Sequence, residues 1–204
     1  MSRYLSCAVL VLVGASFSLM TFAGCDGRPK RIYPPKINAA KAGPAAMEMY
    51  DANKDGKLDA DELKKVPSLI PIAKESKDGV LTAETITELL KKWTEGRVGR
   101  VTWAIKFLHN GKPLTDATVQ LVPEKFLGVD IKIEPAKTDT TGCAGFTVPV
   151  KSVEDPKGIP LGLYRIEVTK DGETIPAKYN TETILGIDVT GGQAGNVPQV
   201  NLLY

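Results

Sequence analysis

The chain of 204 residues has a single histidine, three cysteines and only 6% aromatic residues. Because catalytic zinc sites are built mainly from histidines, His109 alone cannot supply a histidine-rich zinc centre. Cys7 and Cys25 both lie in the N-terminal segment, so Cys143 has no partner for an internal disulfide and is expected to be a small buried residue. A Gly-x-Ser-x-Gly elbow and a phosphate-binding P-loop are also missing. These absences exclude the common hydrolase and nucleotide-binding classes, and the sequence predicts a protein that is not an enzyme.

The chain also has little net charge. Its 26 Lys and Arg residues nearly balance its 24 Asp and Glu residues, which gives +2 at pH 7. The basic residues do not form a stripe with interleaved aromatic residues, the pattern typical of nucleic-acid-binding surfaces. We therefore expect no nucleic-acid partner.

The N-terminus has the pattern of an export signal. Residues Leu5 to Ala23 are apolar or small and follow one basic residue, Arg3. Positions 22–25 read Phe-Ala-Gly-Cys, which resembles the lipobox of bacterial lipoproteins. The resemblance implies a signal peptide over residues 1–24, lipidation of Cys25 with acyl chains such as palmitate, and an exported protein anchored to the cell membrane or envelope. A plain cleaved signal and an uncleaved membrane anchor are the alternatives.

Residues 25–42 have the composition of an extended tether. They include three prolines and the basic residues Arg28, Lys30 and Arg31, with few large apolar side chains. Beside an acidic lipid surface these charges would add weak electrostatic attachment; the alternative is a plain solvated spacer.

Twelve residues, Asp51 to Glu62, match an EF-hand calcium loop. Such a loop supplies oxygen ligands from positions 1, 3, 5, 7, 9 and 12 and turns sharply at a glycine in position 6, here Gly56. Glu62 is expected to bind Ca²⁺ with both carboxylate oxygens, Asp59 through a water molecule, and Lys57 through its backbone carbonyl. The alternative is a polar turn rich in Asp and Gly that merely resembles a ligand set. The full predicted set is Asp51, Asn53, Asp55, Lys57, Asp59 and Glu62.

EF-hands usually occur in pairs, and a degenerate second loop follows. The run Asp-Gly-Val-Leu-Thr at 78–82 repeats the pattern of residues 55–59 and places Leu81 opposite Leu58 in a short antiparallel pair. Lys74 then falls at position 1 and Thr85 at position 12, so the main ligands are lost. We expect the second loop to be a structural partner without metal.

Residues 43–96 are therefore predicted to form a small helical, EF-hand-like domain. Pro44 suits the first turn of a helix before the calcium loop, and Pro67 should end a short helix after it. A clearer helix is capped by Thr82 and ends at Gly96. Its apolar face is formed by Ile86, Leu89, Leu90 and Trp93.

Residues 97–204 change to the alternating pattern of β-strands. Trp103, Ile105 and Phe107 point one way, Asn-Gly at 110–111 signals a tight turn, and a second strand carries Ala117 and Val119 on one face. Further candidate strands are 138–140, 145–150, 163–169, 184–189 and 199–203. Short strands at this spacing without a long helix predict an all-β sandwich. The chain as a whole is thus predicted to be α+β.

This β segment resembles the carboxypeptidase regulatory-like domain, a transthyretin-like (prealbumin-like) sandwich. The resemblance is carried by Asn-Gly-Lys-Pro-Leu at 110–114, Thr-Asp-Thr-Thr-Gly at 138–142 and Gly-Leu-Tyr at 162–164. Together with the lipobox and the EF-hand, it is similar to exported lipoproteins of the planctomycete type. It implies a fold rather than a chemistry. The histidines and the C-terminal Tyr-Arg-Gly-Ser motif of the transthyretin-like hydroxyisourate hydrolases are absent.

Two functions follow from the sequence. The first is a calcium-binding, membrane-anchored lipoprotein that acts as a non-catalytic interaction or structural module of the cell envelope, with a protein or glycan partner. The alternative is a carbohydrate- or cell-wall-binding module, which should show an exposed aromatic platform; Phe126 and Tyr179 exposed side by side would favour it.

Overall fold

The computed structural model describes residues 32–151, 156–191 and 196–204. The predicted signal peptide and Cys25 lie outside these residues. Ile32–Tyr204 forms one compact unit that contains both the helical segment and the β segment. None of the helices in the described ranges is long and apolar enough to cross a membrane.

The helical segment comes first in the described chain. Its α-helices are α1 (Ala39–Tyr50), α2 (Ala60–Leu63), α3 (Ile70–Glu75) and α4 (Ala83–Glu95), and a 3-10 turn, Pro67–Leu69, leads into α3. As expected from Pro67 and Pro71, the elements between the two loops are short.

The helix before the predicted calcium loop begins earlier than the sequence suggested. Asn38 caps α1 by accepting a hydrogen bond from the backbone N–H of Lys41, so α1 starts at Ala39 inside the segment predicted as a tether. Pro44 therefore lies within the helix rather than in its first turn. The predicted ends of α4 are confirmed, because Thr82 accepts from the N–H of Thr85 and Gly96 is the C-cap residue.

Two sheets make up the β segment. The strands are β1 (Trp103–His109), β2 (Lys112–Pro113), β3 (Ala117–Pro123), β4 (Ala136–Lys137), β5 (Cys143–Phe146), β6 (Gly162–Lys170), β7 (Gly186–Val189) and β8 (Gln199–Leu202). In the first sheet, β1 pairs antiparallel with β2 and β5 and parallel with β8. The second sheet is antiparallel in the order β4-β3-β6-β7. The α+β class is therefore confirmed.

The predicted strand positions are close to the observed ones, with two clear shifts. The candidate at 138–140 lies just after β4, where Asp139 forms a turn by accepting hydrogen bonds from the N–H groups of Thr141 and Cys143. The candidate at 145–150 is shortened to β5, which ends at Phe146. Cys143 is half-buried rather than buried, because it lies at the start of β5 next to this turn.

One hydrophobic cluster connects the two sheets. Trp103, Ile105 and Phe107 on β1 are buried, and so are Val119 and Leu121 on β3, as the alternating pattern predicted. All five belong to the same cluster of buried side chains. This core buries one face of the second sheet. The helical segment contacts the other face.

The helical segment packs on that other face of the second sheet. The 3-10 turn contacts β6 and β7, and α3 contacts β7. At Gly186 the approach is so close that an added Cβ would lie 2.1 Å from the backbone nitrogen of Ser68. The helical segment is thereby attached to the second sheet through packed backbone.

Candidate metal centre

The predicted calcium loop connects α1 to α2. α1 ends at Tyr50, one residue before the loop, and the loop's ninth residue, Asp59, is the N-cap of α2. Asp59 Oδ1 accepts hydrogen bonds from the N–H groups of Asp61 (2.8 Å) and Glu62 (3.0 Å). The last two ligand positions are therefore held by the start of a helix, as the capping box Asp-x-x-Glu predicts.

The first half of the loop turns its side chains toward its own backbone. Asp51 Oδ2 accepts from the N–H of Gly56 at 3.0 Å, and Gly56 has a φ of +81° that favours glycine. Asn53 Oδ1 accepts from the N–H of Asp55, and Asp55 Oδ1 accepts from the N–H of Lys57, both at 2.9 Å. The side chains at positions 1, 3 and 5 are thus held in place by the loop itself.

Glu62 connects the two ends of the loop. Its side chain is only 5% exposed, although it is a carboxylate on a short helix. Oε1 accepts from the N–H groups of Ala52 (2.7 Å) and Asn53 (3.3 Å), and Oε2 accepts from the N–H of Asp59 (3.1 Å). Position 12 therefore sits against positions 2, 3 and 9 of the loop.

One buried side-chain oxygen of the loop has no hydrogen-bond partner. Asp51 Oδ1 is buried and accepts no hydrogen bond. A buried carboxylate oxygen without a donor or a cation is costly, by about 1–3 kcal/mol or more for a charged group. A cation at this oxygen would remove that cost, so the donor set fits a hard divalent ion such as Ca²⁺.

The side chains do not form a compact acidic cluster. Among the residues that the structure describes, no three His, Cys, Asp or Glu side chains converge closely enough to hold a metal ion. Asp51 Oδ2, Asp55 Oδ1 and Glu62 Oε2 each accept one backbone hydrogen bond and keep a second lone pair for an ion. Asp59 Oδ1 and Glu62 Oε1 each already accept two. Two of the six predicted ligands, Asn53 and the Lys57 carbonyl, are not acidic groups.

The pairing of the two loops is confirmed. Leu58 and Leu81 form an antiparallel bridge, with N–H to carbonyl distances of 2.7 Å and 3.2 Å in the two directions. Both side chains are fully buried. In the second loop, the Thr85 hydroxyl lies 3.3 Å from the Thr82 hydroxyl at the start of α4, and Lys74 is an exposed residue of α3. These positions carry no carboxylate, in agreement with a structural role.

A buried carboxylate that the sequence did not single out joins the loop to the sheets. Glu124 follows β3 and is 2% exposed. Its Oε1 accepts from the Ser68 hydroxyl at 2.8 Å, and its Oε2 accepts from the Tyr50 hydroxyl at 3.4 Å and lies 4.0 Å from Arg165 Nε. Burial raises the pKa of Glu124, although Ser68, Arg165 and Tyr50 oppose the rise. Burial likewise raises the pKa of Tyr50 to about 12, and Glu124 adds to this.

Asp188 is a second carboxylate whose surroundings the sequence did not reveal. The alternating burial of β7 would place Asp188 on the outward face of the strand, but α3 contacts β7 on this side. Its Oδ1 is buried and has no hydrogen-bond partner. Burial, with a smaller contribution from Glu75, raises the pKa of Asp188 to about 7.

Asp188 therefore predicts a pH dependence of stability. Because its folded pKa is above the unfolded value, the folded state binds more protons between about pH 4 and pH 7, and stability falls as the pH rises through this window. Asp188→Asn is expected to reduce this fall in the free energy of unfolding by about 1 kcal/mol. The effect is kept small because the side chain is only partly buried and solvent screens its charge. Urea unfolding at about pH 5 and about pH 8 measures it. Asp171→Asn, in an exposed turn, is the control, and equal pH dependence in Asp188→Asn and the parent would contradict the prediction.

The aromatic pair proposed as a sugar platform is not exposed. Phe126 and Tyr179 are both buried, and Phe126 packs edge-on against Tyr50 with ring centroids 6.3 Å apart. Tyr179 is held by its hydroxyl, which donates to the Leu203 carbonyl at 3.2 Å. These two rings therefore support the core and do not offer a stacking surface.

The single histidine lies at the end of β1. His109 stacks on Tyr204, with ring centroids 4.1 Å apart, and its Nδ1 lies 3.6 Å from Glu173. The Tyr204 hydroxyl donates to Glu173 at 2.5 Å. This cluster attaches the last described residues to the first sheet.

Comparison of the chain with protein-family models, curated proteins and solved structures found no match. The resemblances to a lipoprotein, an EF-hand and a carboxypeptidase regulatory-like domain therefore rest on the residues given above.

Proposed function

We propose that this protein is a calcium-binding, membrane-anchored exported lipoprotein, and that it serves the cell envelope as a non-catalytic interaction or structural module. The ion would be held by the loop of residues 51–62, and the anchor would be the lipidated Cys25. The two sheets would form a transthyretin-like sandwich that presents the binding surface to a protein or glycan.

The buried, unpartnered Oδ1 of Asp51 carries the calcium proposal. Its partner oxygen Oδ2 is fixed by Gly56, so the carboxylate has one oxygen committed to the backbone and one available to a cation. Glu62, at the other end of the loop, is buried beside the same segment through Ala52 and Asn53. A bound Ca²⁺ would stabilise the buried Oδ1 of Asp51 at loop position 1 and the buried carboxylate of Glu62 at position 12.

Calcium is proposed as a structural constituent rather than a signal. Isolated EF-hand sites of extracellular modules bind at about 0.1–1 mM, and exported proteins meet calcium at such concentrations. The second loop has Lys74 and Thr85 in place of the end ligands, so cooperative paired binding is not expected. Through the Leu58–Leu81 bridge, the ion would instead stabilise both loops and the helices that follow them.

The stoichiometry of binding tests this proposal. Calorimetric titration with Ca²⁺ is expected to give one site per chain, because only the loop of residues 51–62 keeps its ligands. Asp51→Asn should weaken binding at least about tenfold, since it removes the charge from an oxygen already fixed in the loop. Asp78→Asn, at the equivalent of Asp55 in the degenerate loop, should leave the affinity unchanged.

Two results would count against the calcium proposal. Absence of binding up to about 10 mM Ca²⁺ would remove it altogether. Two sites of similar affinity, one of them lost in Asp78→Asn, would mean that the second loop also binds the ion.

The carbohydrate-binding alternative receives less support, because Phe126 and Tyr179, whose exposure would have favoured it, are buried. A glycan array with the calcium-loaded protein would revive it if specific sugars bound.

A further inference from the structure

The first described residues lie against the folded unit. Ile37 is buried, and a Cβ at Gly99 would lie 2.5 Å from the carbonyl oxygen of Ile32, so the chain packs there against bare backbone. Beside this contact is an open groove of about 350 Å³ whose lining includes Tyr33, Arg100 and Lys132. The chain therefore enters the fold at a defined face.

Large apolar side chains are exposed around this entry point. Tyr33, which lines the groove, is 71% exposed. Val98 and Val150 are also exposed, and each is next in sequence to a residue of the lining. Tyrosine is enriched where proteins meet the headgroup region of a bilayer, since its ring is apolar and its hydroxyl is polar. The apolar part of this face suits a bilayer interface.

The charged side chains of the same face are mainly basic. Lys36 is exposed next to Pro35, and Arg97 is exposed two residues before Gly99; both Pro35 and Gly99 line the groove. The Lys132 side chain, also in the lining, is 77% exposed. Asp130, 4.0 Å from Lys132, is the acidic residue of the lining. Basic residues near an anionic membrane each contribute about 1 kcal/mol to attachment, which is about fivefold in the docking equilibrium.

The length of the preceding chain keeps this face near the proposed anchor. Ile32 is seven residues after Cys25. A fully extended chain of that length spans at most about 25 Å, which is less than the diameter of a small domain. Three of the intervening residues are Arg28, Lys30 and Arg31, so the connection is itself basic.

We propose that the entry face, formed by Tyr33, Val98 and Val150 with Lys36, Arg97 and Lys132, docks on the surface of a lipid bilayer that contains anionic lipid. This rests on the proposed anchoring at Cys25 and names the surface that the anchor brings to the membrane. Docking orients the folded unit, so the opposite end of β1, with the turn at Asn110 and Gly111, points away from the bilayer.

Tryptophan quenching by brominated lipids tests the orientation. Trp93 and Trp103 are both buried, so an introduced exposed tryptophan reports its own surroundings. The full chain is reconstituted into phosphatidylcholine vesicles with about 30% phosphatidylglycerol, a fraction that gives a strongly anionic surface. The fluorescence of Tyr33→Trp is expected to be quenched at least twofold more than that of Tyr204→Trp. Tyr204 is the matched position at the far end of β1, where its backbone carbonyl accepts a hydrogen bond from the Asn110 side chain.

Charge reversal supplies the second readout. Arg97→Glu with Lys132→Glu should lower the docked-to-undocked ratio by more than about tenfold and abolish the excess quenching of Tyr33→Trp, whereas Lys112→Glu, beyond β1, should not. Vesicle flotation separates the possible failures. A chain that does not float overturns the proposed anchoring and this inference with it. A chain that floats with equal quenching at both positions, or with quenching insensitive to the charge reversal, overturns the docking face and leaves the anchoring intact.

Discussion

Replacement of Gly186 by alanine is expected to lower the free energy of unfolding by about 3 kcal/mol or more. The added Cβ would lie 2.1 Å from the backbone nitrogen of Ser68 and 2.3 Å from the carbonyl carbon of Pro67. Both atoms belong to backbone, so no side-chain rotation can relieve the contact. The 3-10 turn must move away from β7, and this separates packed surfaces across the whole contact.

The loss extends beyond Gly186 because the same turn carries Ser68. The Ser68 hydroxyl donates to the buried Glu124 at 2.8 Å. If the turn moves, this carboxylate loses a hydrogen bond inside the protein, which adds the cost of an unsatisfied buried charge. The substitution thus combines overpacking with damage to a polar contact between the helical segment and the sheets.

Urea unfolding followed by far-UV circular dichroism measures the effect. Gly191→Ala and Gly145→Ala are matched controls, because no heavy atom lies within 4 Å of a Cβ at either position. Both controls should change stability by less than about 1 kcal/mol. A Gly186→Ala protein as stable as these controls would show that the 3-10 turn does not pack closely against Gly186 of β7.

Calcium is expected to raise the free energy of unfolding, and Glu62→Gln to abolish that increase. With a dissociation constant of about 0.1–1 mM, about 10 mM Ca²⁺ stabilises the folded state by about 1.4–2.7 kcal/mol over the chelator-treated protein. Glu62→Gln removes the charge at loop position 12 and replaces one carboxylate oxygen by an amide that donates. The amide NH₂ would also face the N–H of Asp59 or of Ala52, and two donors cannot form a hydrogen bond with each other. A lower stability without calcium is therefore expected as well.

The readout is therefore the difference between calcium and chelator within each protein, measured by calorimetry. Glu88→Gln, an exposed change on α4, is the control and should retain the full calcium-dependent increase. A calcium-dependent increase that survives in Glu62→Gln would exclude the loop of residues 51–62 as the binding site. Mg²⁺ at the same concentration should stabilise less, since it demands stricter octahedral geometry and loses water reluctantly.

The predictable parts of the fold depend on residues close in sequence. The cap at Thr82, the end of α4 at Gly96 and the buried alternation on β1 and β3 were all predicted correctly. The Leu58–Leu81 bridge was also predicted, because a repeated local pattern aligned the two loops. Each of these features follows from a propensity or a period that extends over only a few residues.

The errors arose where a distant part of the chain decided the local environment. Asp188 looks like the outward residue of an alternating strand, yet α3 packs on that side and excludes water from its Oδ1. The sequence also left open whether Phe126 and Tyr179 are exposed, and the structure shows that both are buried. Alternation identifies two faces of a strand but does not reveal whether the second face is also covered.

The sequence by itself determined the match of residues 51–62 to an EF-hand loop, the pairing of the two loops, and the change from helical to alternating periodicity at the start of the β segment. Only the tertiary structure decided that Asp51 keeps a buried, unpartnered oxygen, that Glu124 connects α1 and the 3-10 turn to the end of β3, and that the chain enters at an exposed basic face. The physical reason is that ligand type and hydrogen-bonding period are local properties of the chain. Burial, and with it the cost of a charge, depends on every element that packs against a residue.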